Sequence, residues 1–268
     1  MSIAEKLTTI AENQQRVYDA GFSAGQAQGG NGGYDEGYID GWNEGSTNSY
    51  NNGYDDGLEE GYNKANDENP LCYATRIDNI WGGAVFPENY EAVIRFKKAP
   101  SNFTYAFNNA DNLKSVKLTS EDKSNIVAIN HSFRIADTSR ARLEVVDFAD
   151  FNKCFSSLQE TFRWQVKLRS ILGAMDLSAC TGTSVFSNTF WDCNALEDIE
   201  IVTGTIKISI SFAYSPLLTD ASIQSIIDGL ADLTGATAQT ITFHKDVGAK
   251  LTDAQKTAIA LKNWTLAY

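Results

Sequence analysis

The sequence predicts an α+β chain: a solenoid of repeats that ends in a β-α-β-α-β C-terminal cap and is preceded by an α-helical Gly-x-x-x stalk. Three observations predict this fold class. Glycine recurs every four residues near the N-terminus, a phenylalanine-led pattern recurs in the middle, and helix and strand signals alternate at the C-terminal end. The corresponding boundaries are 1–68 for the helical stalk and attachment region, 69–218 for the solenoid and 219–268 for its cap.

The stalk prediction rests on a four-residue glycine period between Gly21 and Gly61, in which Ser49 takes the one missing place. A large apolar side chain usually follows each glycine, as Tyr38 and Trp42 do. Each glycine costs an isolated helix roughly 1 kcal/mol relative to alanine, so such helices need another backbone packed closely against them. The glycines predicted to make this contact are Gly37, Gly41 and Gly57. The alternative is a flexible glycine-rich linker.

Upstream of the glycines, apolar residues follow the alternating four- and three-residue spacing of a coiled-coil seam. The residues predicted to contact another copy of the chain or a partner protein are Ile3, Leu7, Ile10 and Val17. The seam covers less than three heptads and therefore leaves two interpretations open. One is a parallel homo-oligomer, such as a trimer, and the other is an amphipathic helix that packs on a different protein.

The middle of the chain repeats the pattern Phe-x2-Ala-x2-Leu-x2-Val-x-Leu that begins at Phe107. The anchor positions are Phe107, Phe133, Phe162 and Phe190, which lie 26, 29 and 28 residues apart. Each unit predicts a short turn or helix followed by a strand, and stacking of the units would bury a continuous core. In this alignment Cys154 and Cys193 fill the small buried position that Ala110 fills in the first unit.

The C-terminal segment has the signals of a cap over the last repeat. A helix is predicted from residue 218 to about residue 233, followed by a strand over 240–243 and a closing strand over 264–266. Thr252 and Gln255 have the spacing of a capping box and predict the start of a second helix.

Units of the form Phe-x2-Cys-x2-Leu-x2-Ile resemble the BspA-like leucine-rich repeats of bacterial surface adhesins. The opening residues 1–13 and the segment 218–268, which contains Lys-Leu-Thr-Asp-Ala-Gln-Lys, are similar to repeat proteins encoded by phages and prophages of Gram-positive bacteria. The resemblance implies a leucine-rich-repeat solenoid in a virion-associated or host-binding protein, and it implies no chemistry.

Composition disfavours several classes of partner. The net charge of −12 argues against nucleic acid and against an anionic membrane surface, since both attract cationic proteins. The chain lacks the run of ~20 apolar residues typical of a membrane helix. Residues 1–13 lack the apolar stretch of a secretory signal, so we expect synthesis in the bacterial cytoplasm without export. The four cysteines form no Cys-x-x-Cys pair and are expected to be buried free thiols.

We expect no enzymatic activity, cofactor or metal. The two histidines, His131 and His244, lie in different segments, and neither has the spacing of a metal site or of a nucleophile with its base. Aromatic residues could instead form a glycan- or protein-binding surface, although aromatics within repeats more often belong to the core. The candidate surface residues are Trp81, Trp164, Trp191 and Tyr214.

The function expected from these features is that of a phage virion structural protein, associated with the tail, a tail fibre or the baseplate. Its stalk would bind other virion proteins, and its repeats would contact a glycan or protein of the host surface. One alternative is a capsid or neck decoration protein without a receptor. A further alternative is a bacterial surface adhesin, which the missing export signal disfavours.

Overall fold

The computed structural model describes residues 71–72, 81–151 and 154–268. The chain divides between Cys72 and Tyr73 into two units, and the first is represented in the described residues by strand β1, Leu71–Cys72. The predicted stalk and its oligomer contacts lie outside the described residues. These contacts are Ile3, Leu7, Ile10, Val17, Gly37, Gly41 and Gly57. The second unit contains the other described strands and helices.

The predicted α+β fold class is wrong. The described chain is mostly parallel β-sheet, and the α-helices of that part are three short ones: α1 (Asp220–Gly229), α2 (Lys245–Lys250) and α3 (Asp253–Leu261). Neither a helical stalk nor a solenoid is identified among the described residues. The phenylalanine-led segments are not helical because alternate backbone N–H groups donate to turns more than twenty residues away, and the groups between them close turns with the residue three positions earlier. Tyr105 N, for example, donates to Asn130 O at 2.9 Å.

The large sheet of the second unit places β2, β3, β5, β7 and β8 side by side, and all these strands are parallel. Their bounds are Val85–Lys98, Asp111–Asp122, Val145–Asp150, Ser170–Met175 and Asp198–Ile201. One register row is buried on every strand and consists of Ala92, Val116, Val146, Ile171 and Ile199. The apolar positions of the sequence repeat therefore share one face of the sheet.

The remaining strands of the second unit form two smaller parallel sheets. β4 (Val127–Ala128) pairs with β6 (Phe155–Ser157), and β10 (Gln239–Phe243) lies between β9 (Ile210–Phe212) and β11 (Trp264–Ala267). A single turn of 3₁₀-helix, Thr138–Arg140, lies between Phe133, the second anchor phenylalanine, and β5.

A column of buried phenylalanine rings connects the successive turns. Phe133 stacks on Phe107 with ring centroids 5.5 Å apart and on Phe162 with centroids 5.7 Å apart. Phe190 continues the column at 5.8 Å from Phe162. Stacked aromatic pairs add about 0.5–1.5 kcal/mol beyond the burial of their area. The four predicted anchors are thus the core of the turns.

Buried hydroxyl groups hold the turns to one another. Thr161 Oγ1 donates to Ile129 O at 2.8 Å, and Thr189 Oγ1 donates to Leu158 O at 2.8 Å. Cys193 lies in the predicted small position, where its Sγ donates to Phe162 O at 3.1 Å. The same prediction is wrong for Cys154, which is half-buried and forms an isolated β-bridge with Asp176.

The C-terminal segment covers the free edge of β8. Backbone N–H groups of Ile199 and Ile201 donate to the hydroxyls of Ser222 and Ser225 in α1, at 3.0 and 2.9 Å. The predicted first helix of this segment ends at Gly229 rather than near residue 233, because Leu230 is extended and pairs with Ile206.

The predicted capping box of Thr252 and Gln255 is present at the start of α3. The six-residue helix α2 was not predicted. No helix in the described part of the chain is long and apolar enough to cross a membrane.

Candidate functional site

The turns that stack between the strands present two adjacent columns of side chains, which we call the turn surface. Its first column is Tyr105, His131, Glu160 and Asn188, and its second column is Asn108, Arg134, Arg163 and Trp191. In each turn the two members lie three residues apart, on either side of a buried pair that ends in an anchor phenylalanine. The turn surface therefore repeats in step with the core.

The backbone fixes both columns. The four residues of the first column have φ values between 52° and 59°, in the left-handed region. His131 N donates to Gln159 O at 2.8 Å, and Glu160 N donates to Ser187 O at 2.9 Å. Left-handed backbone is costly for residues other than glycine, and Tyr105, His131 and Glu160 keep it because the ladder of turns satisfies their N–H groups.

Glu160 is the centre of an ion-pair network on the turn surface. Its carboxylate lies 2.8 Å from Arg163 Nη1, 3.5 Å from Arg134 Nε and 3.5 Å from His131 Nδ1. The side chains of His131 and Glu160 are only 14% and 15% exposed. Because they are this well buried, their interactions are screened less than those of ordinary surface pairs.

The network shifts the pKa values of both titratable groups. Burial alone would raise the pKa of Glu160, but Arg163, Arg134 and the side chain of Asn188 hold that pKa below its ordinary value. Burial lowers the pKa of His131, and the nearby arginines add to this lowering against the opposing effect of Glu160. With the imidazole neutral, two guanidinium groups face one carboxylate, and the cluster keeps a net positive charge.

Aromatic rings flank the charged cluster at both ends. The rings of Tyr105 and His131 stack with centroids 4.5 Å apart, and those of Trp191 and Tyr214 lie 4.4 Å apart. Trp191 is 39% exposed and Tyr105 is 37% exposed. Large exposed aromatic rings next to polar donors are typical of binding surfaces.

Trp164 lies under the two arginines. The guanidinium carbon of Arg163 is 3.9 Å from the centre of the indole ring, and that of Arg134 is 5.4 Å from it. Cation–π contacts at these distances hold the arginine side chains in place. Trp164 N also donates to Trp191 O at 2.7 Å, which joins this turn to the turn that carries Trp191.

The structure brings three of the four predicted surface residues to this region and excludes the fourth. Trp191 and Tyr214 contact each other, and Trp164 supports the arginines beside them. Trp81 instead stacks on Phe107 at 4.6 Å, at the end of the buried phenylalanine column.

Seven members of the turn surface were not predicted from the sequence: Tyr105, Asn108, His131, Arg134, Glu160, Arg163 and Asn188. A signal for them exists in the repeat. The first column lies two residues before each anchor phenylalanine, and the second column lies one residue after it. Alignment of the units at these two positions places His131, Arg134, Glu160 and Arg163 side by side.

A second concave feature lies between the outer face of β7 and β8 and helix α1. This groove encloses about 620 Å³ and is lined by three carboxylates, Asp198, Glu200 and Asp228, together with Ser222 and Ser225. The two serines cap the edge of β8 and are therefore structural. Among the described residues, no group of three or more His, Cys, Asp or Glu side chains is arranged to hold a metal ion.

No protein-family model, no curated protein and no solved structure matches this chain.

Proposed function

We propose that this protein is a non-enzymatic binding protein of a phage virion, associated with the tail or baseplate, which contacts the host surface through its turn surface. The observation that carries the proposal is exposed Trp191, which contacts half-buried Tyr214 and follows Arg134 and Arg163 in the second column. A side chain as large as tryptophan, left 39% exposed at such a place, is typical of a binding hot spot.

The rigidity of the scaffold supports a role in recognition. The turn surface is fixed by the backbone ladder, by the stacked phenylalanines beneath it and by the Glu160 network. A preorganised surface loses little conformational entropy when a ligand binds. Catalysis would require a reacting group positioned against a base, whereas the contacts of His131 join it to Glu160 and Tyr105, which serve to hold the cluster.

The virion part of the proposal comes from the similarity of both chain ends to phage-encoded repeat proteins. Residues 1–68 would attach the chain to other virion proteins and form a homo-oligomer, such as a trimer. Several copies of a weak binding surface would then act together and raise the effective affinity.

Two measurements test the proposal. Immunogold labelling of phage particles that carry the chain should place it at the tail, and label confined to the capsid would favour a decoration protein instead. The labelled full-length chain should adsorb to host cells, and the double variant Trp191→Ala with Tyr214→Ala should lose that adsorption. Leu261→Ala, which removes a 74% exposed apolar side chain from α3, is the matched control. Equal adsorption by all three proteins would exclude the turn surface as the binding site.

A further inference from the structure

The turn surface carries a positive charge that its own carboxylate, Glu160, does not neutralise. Arg163 donates to Glu160 at 2.8 Å, but Arg134 approaches the same carboxylate only through Nε at 3.5 Å. Within the described residues, the side chain of Arg134 forms no hydrogen bond. The chain as a whole has a net charge of −12, so this cluster has the opposite sign to the protein that carries it. Guanidinium groups bind carboxylate and phosphate groups through two parallel hydrogen bonds.

The exposed apolar side chains of this surface are aromatic. Tyr105 and Trp191 are the large exposed apolar members of its two columns, and Tyr214 joins Trp191. A protein partner usually buries about 1,200–2,000 Å² around a cluster of apolar anchors, and the two columns offer no exposed aliphatic side chain for such a core. Flat rings next to hydrogen-bond donors are better suited to the apolar faces and hydroxyl groups of sugars.

We propose that the ligand of the turn surface is an anionic glycan, whose carboxylate or phosphate group binds Arg134 and whose sugar rings pack on Trp191 and Tyr214. This inference rests on the proposed binding function and specifies the ligand of the same site. Arg163 and His131 hold the charged cluster in place. Arg163 already donates to Glu160, so Arg134 is the arginine that is left to bind the ligand.

The spacing of the turns sets a minimum length for the ligand. Neighbouring turns are hydrogen-bonded like strands and are therefore about 4.8 Å apart. Arg134 and Trp191 are separated by two such steps, or about 10 Å. A single sugar cannot reach both groups at once. The site should therefore prefer an oligosaccharide to its monomer, and the anionic group should lie at the Arg134 end, where it shares that guanidinium with the carboxylate of Glu160.

The test compares polymers that differ in charge. Oligogalacturonate and its fully methyl-esterified form have the same sugar backbone, and only the first is anionic. The full-length chain should bind oligogalacturonate in titration calorimetry at least about tenfold more tightly than the ester, since charge-assisted hydrogen bonds are lost in the ester. Arg134→Gln should remove this preference, and added salt should weaken the binding of the wild type. Arg95→Gln removes one exposed arginine from β2 and is the control for net charge.

Each outcome bears on a defined part of the inference. Binding of poly(glycerol phosphate) but not of oligogalacturonate would overturn the glycan, because that polymer has no sugar rings, and would show that the site recognises only the anionic group. Equal affinity for oligogalacturonate and its ester, or binding to none of these polymers, would overturn the inference. Equal affinity for poly-L-glutamate would identify an acidic polypeptide instead and overturn the glycan. The proposed function is tested separately, by adsorption of the Trp191 and Tyr214 double variant to host cells. Whatever the polymers show, loss of adsorption by this variant supports the proposed function, and normal adsorption contradicts it.

Discussion

The outer face of the large sheet and the turn surface both carry charged residues in register, but they balance that charge differently. On the sheet, opposite charges pair across neighbouring strands: Lys114 with Glu91 at 3.3 Å and Lys117 with Asp147 at 3.5 Å. On the turn surface, two arginines and a histidine share the single carboxylate of Glu160. Each of these two lysines of the sheet has its own carboxylate, whereas the cationic groups of the turn surface outnumber the one carboxylate that they share.

The largest expected effect comes from the centre of the turn surface. Glu160→Gln leaves Arg134, Arg163 and His131 without their shared carboxylate in a region where these side chains are mostly buried. Loss of a charged hydrogen-bond partner under such conditions costs about 1–3 kcal/mol. Urea denaturation should show a free energy of unfolding lowered by that amount.

The sheet provides the matched control for this prediction. Glu91→Gln removes a carboxylate that is 64% exposed and pairs with Lys114. Exposed pairs contribute at most about 1 kcal/mol. If the two variants were equally stable, the network around Glu160 would have no special role and the contrast between the surfaces would disappear.

A smaller effect is expected from the hydroxyl groups beneath the turns. Thr161→Val removes the buried hydrogen bond from Oγ1 to Ile129 O and leaves that carbonyl without this donor. The expected loss is about 0.5–1.5 kcal/mol. Thr119→Val makes the same change on β3, where the side chain is half-buried on the sheet, and should stay within about 0.5 kcal/mol of the wild type. Thermal unfolding of both variants would show whether the turn side depends on its buried hydroxyls more than the sheet side does.

The fold and the site were predictable to different extents. The period of the phenylalanines and the register of Val116, Val146 and Ile171 could be found in the sequence, because both depend on apolar residues at fixed intervals. The helical content could not, because the partners of the backbone N–H groups lie in the next turn, and local propensity does not specify them. For the same reason Cys154 was assigned to a position that the chain does not give it.

The site shows the same limit more strongly. Trp191 and Tyr214 were identifiable as large aromatics in the repeats, but their contact depends on how the last turns stack. Glu160 and Arg163 are three residues apart and look like an ordinary local pair. They belong to a larger network because the stacking of another turn brings His131 and Arg134 to the same carboxylate.

The pH dependence of stability is expected to come from the turn surface, through His131. Burial lowers the pKa of His131, so the unfolded chain binds the proton more readily than the folded chain. Stability should therefore be fully present above about pH 6.5, the ordinary histidine value, and fall as the pH drops toward the lower pKa of the folded state. The groups that face His131 and act on this titration are Glu160, Arg134 and Arg163.

Measurements of the unfolding free energy between pH 7 and about pH 5 would test this, since the lowered pKa of Glu160 acts at more acidic pH. His131→Asn should flatten the slope in this window. Tyr105→Phe, which keeps the stacked ring and the histidine, should leave it unchanged. A slope that survives the loss of His131 would show that other groups cause the acid sensitivity, and the turn surface would not be the pH-sensitive part of the protein.

The smallest effect is expected on the sheet face itself. Lys117 is 45% exposed and lies 3.5 Å from Asp147 and 3.9 Å from Asp150. A double-mutant cycle of Lys117→Ala and Asp147→Ala should give a coupling energy of about 0.2–1 kcal/mol that decreases with added salt, because exposed pairs are well screened. The same cycle with Arg163→Ala and Glu160→Ala should give a larger coupling that depends less on salt, since the two carboxylates are about equally buried but Arg163 is 23% exposed and Lys117 is 45% exposed. Equal couplings with equal salt dependence would mean that the two surfaces hold their charges in the same way. The free donors of Arg134 would then be no more available to a ligand than any exposed cation on the sheet.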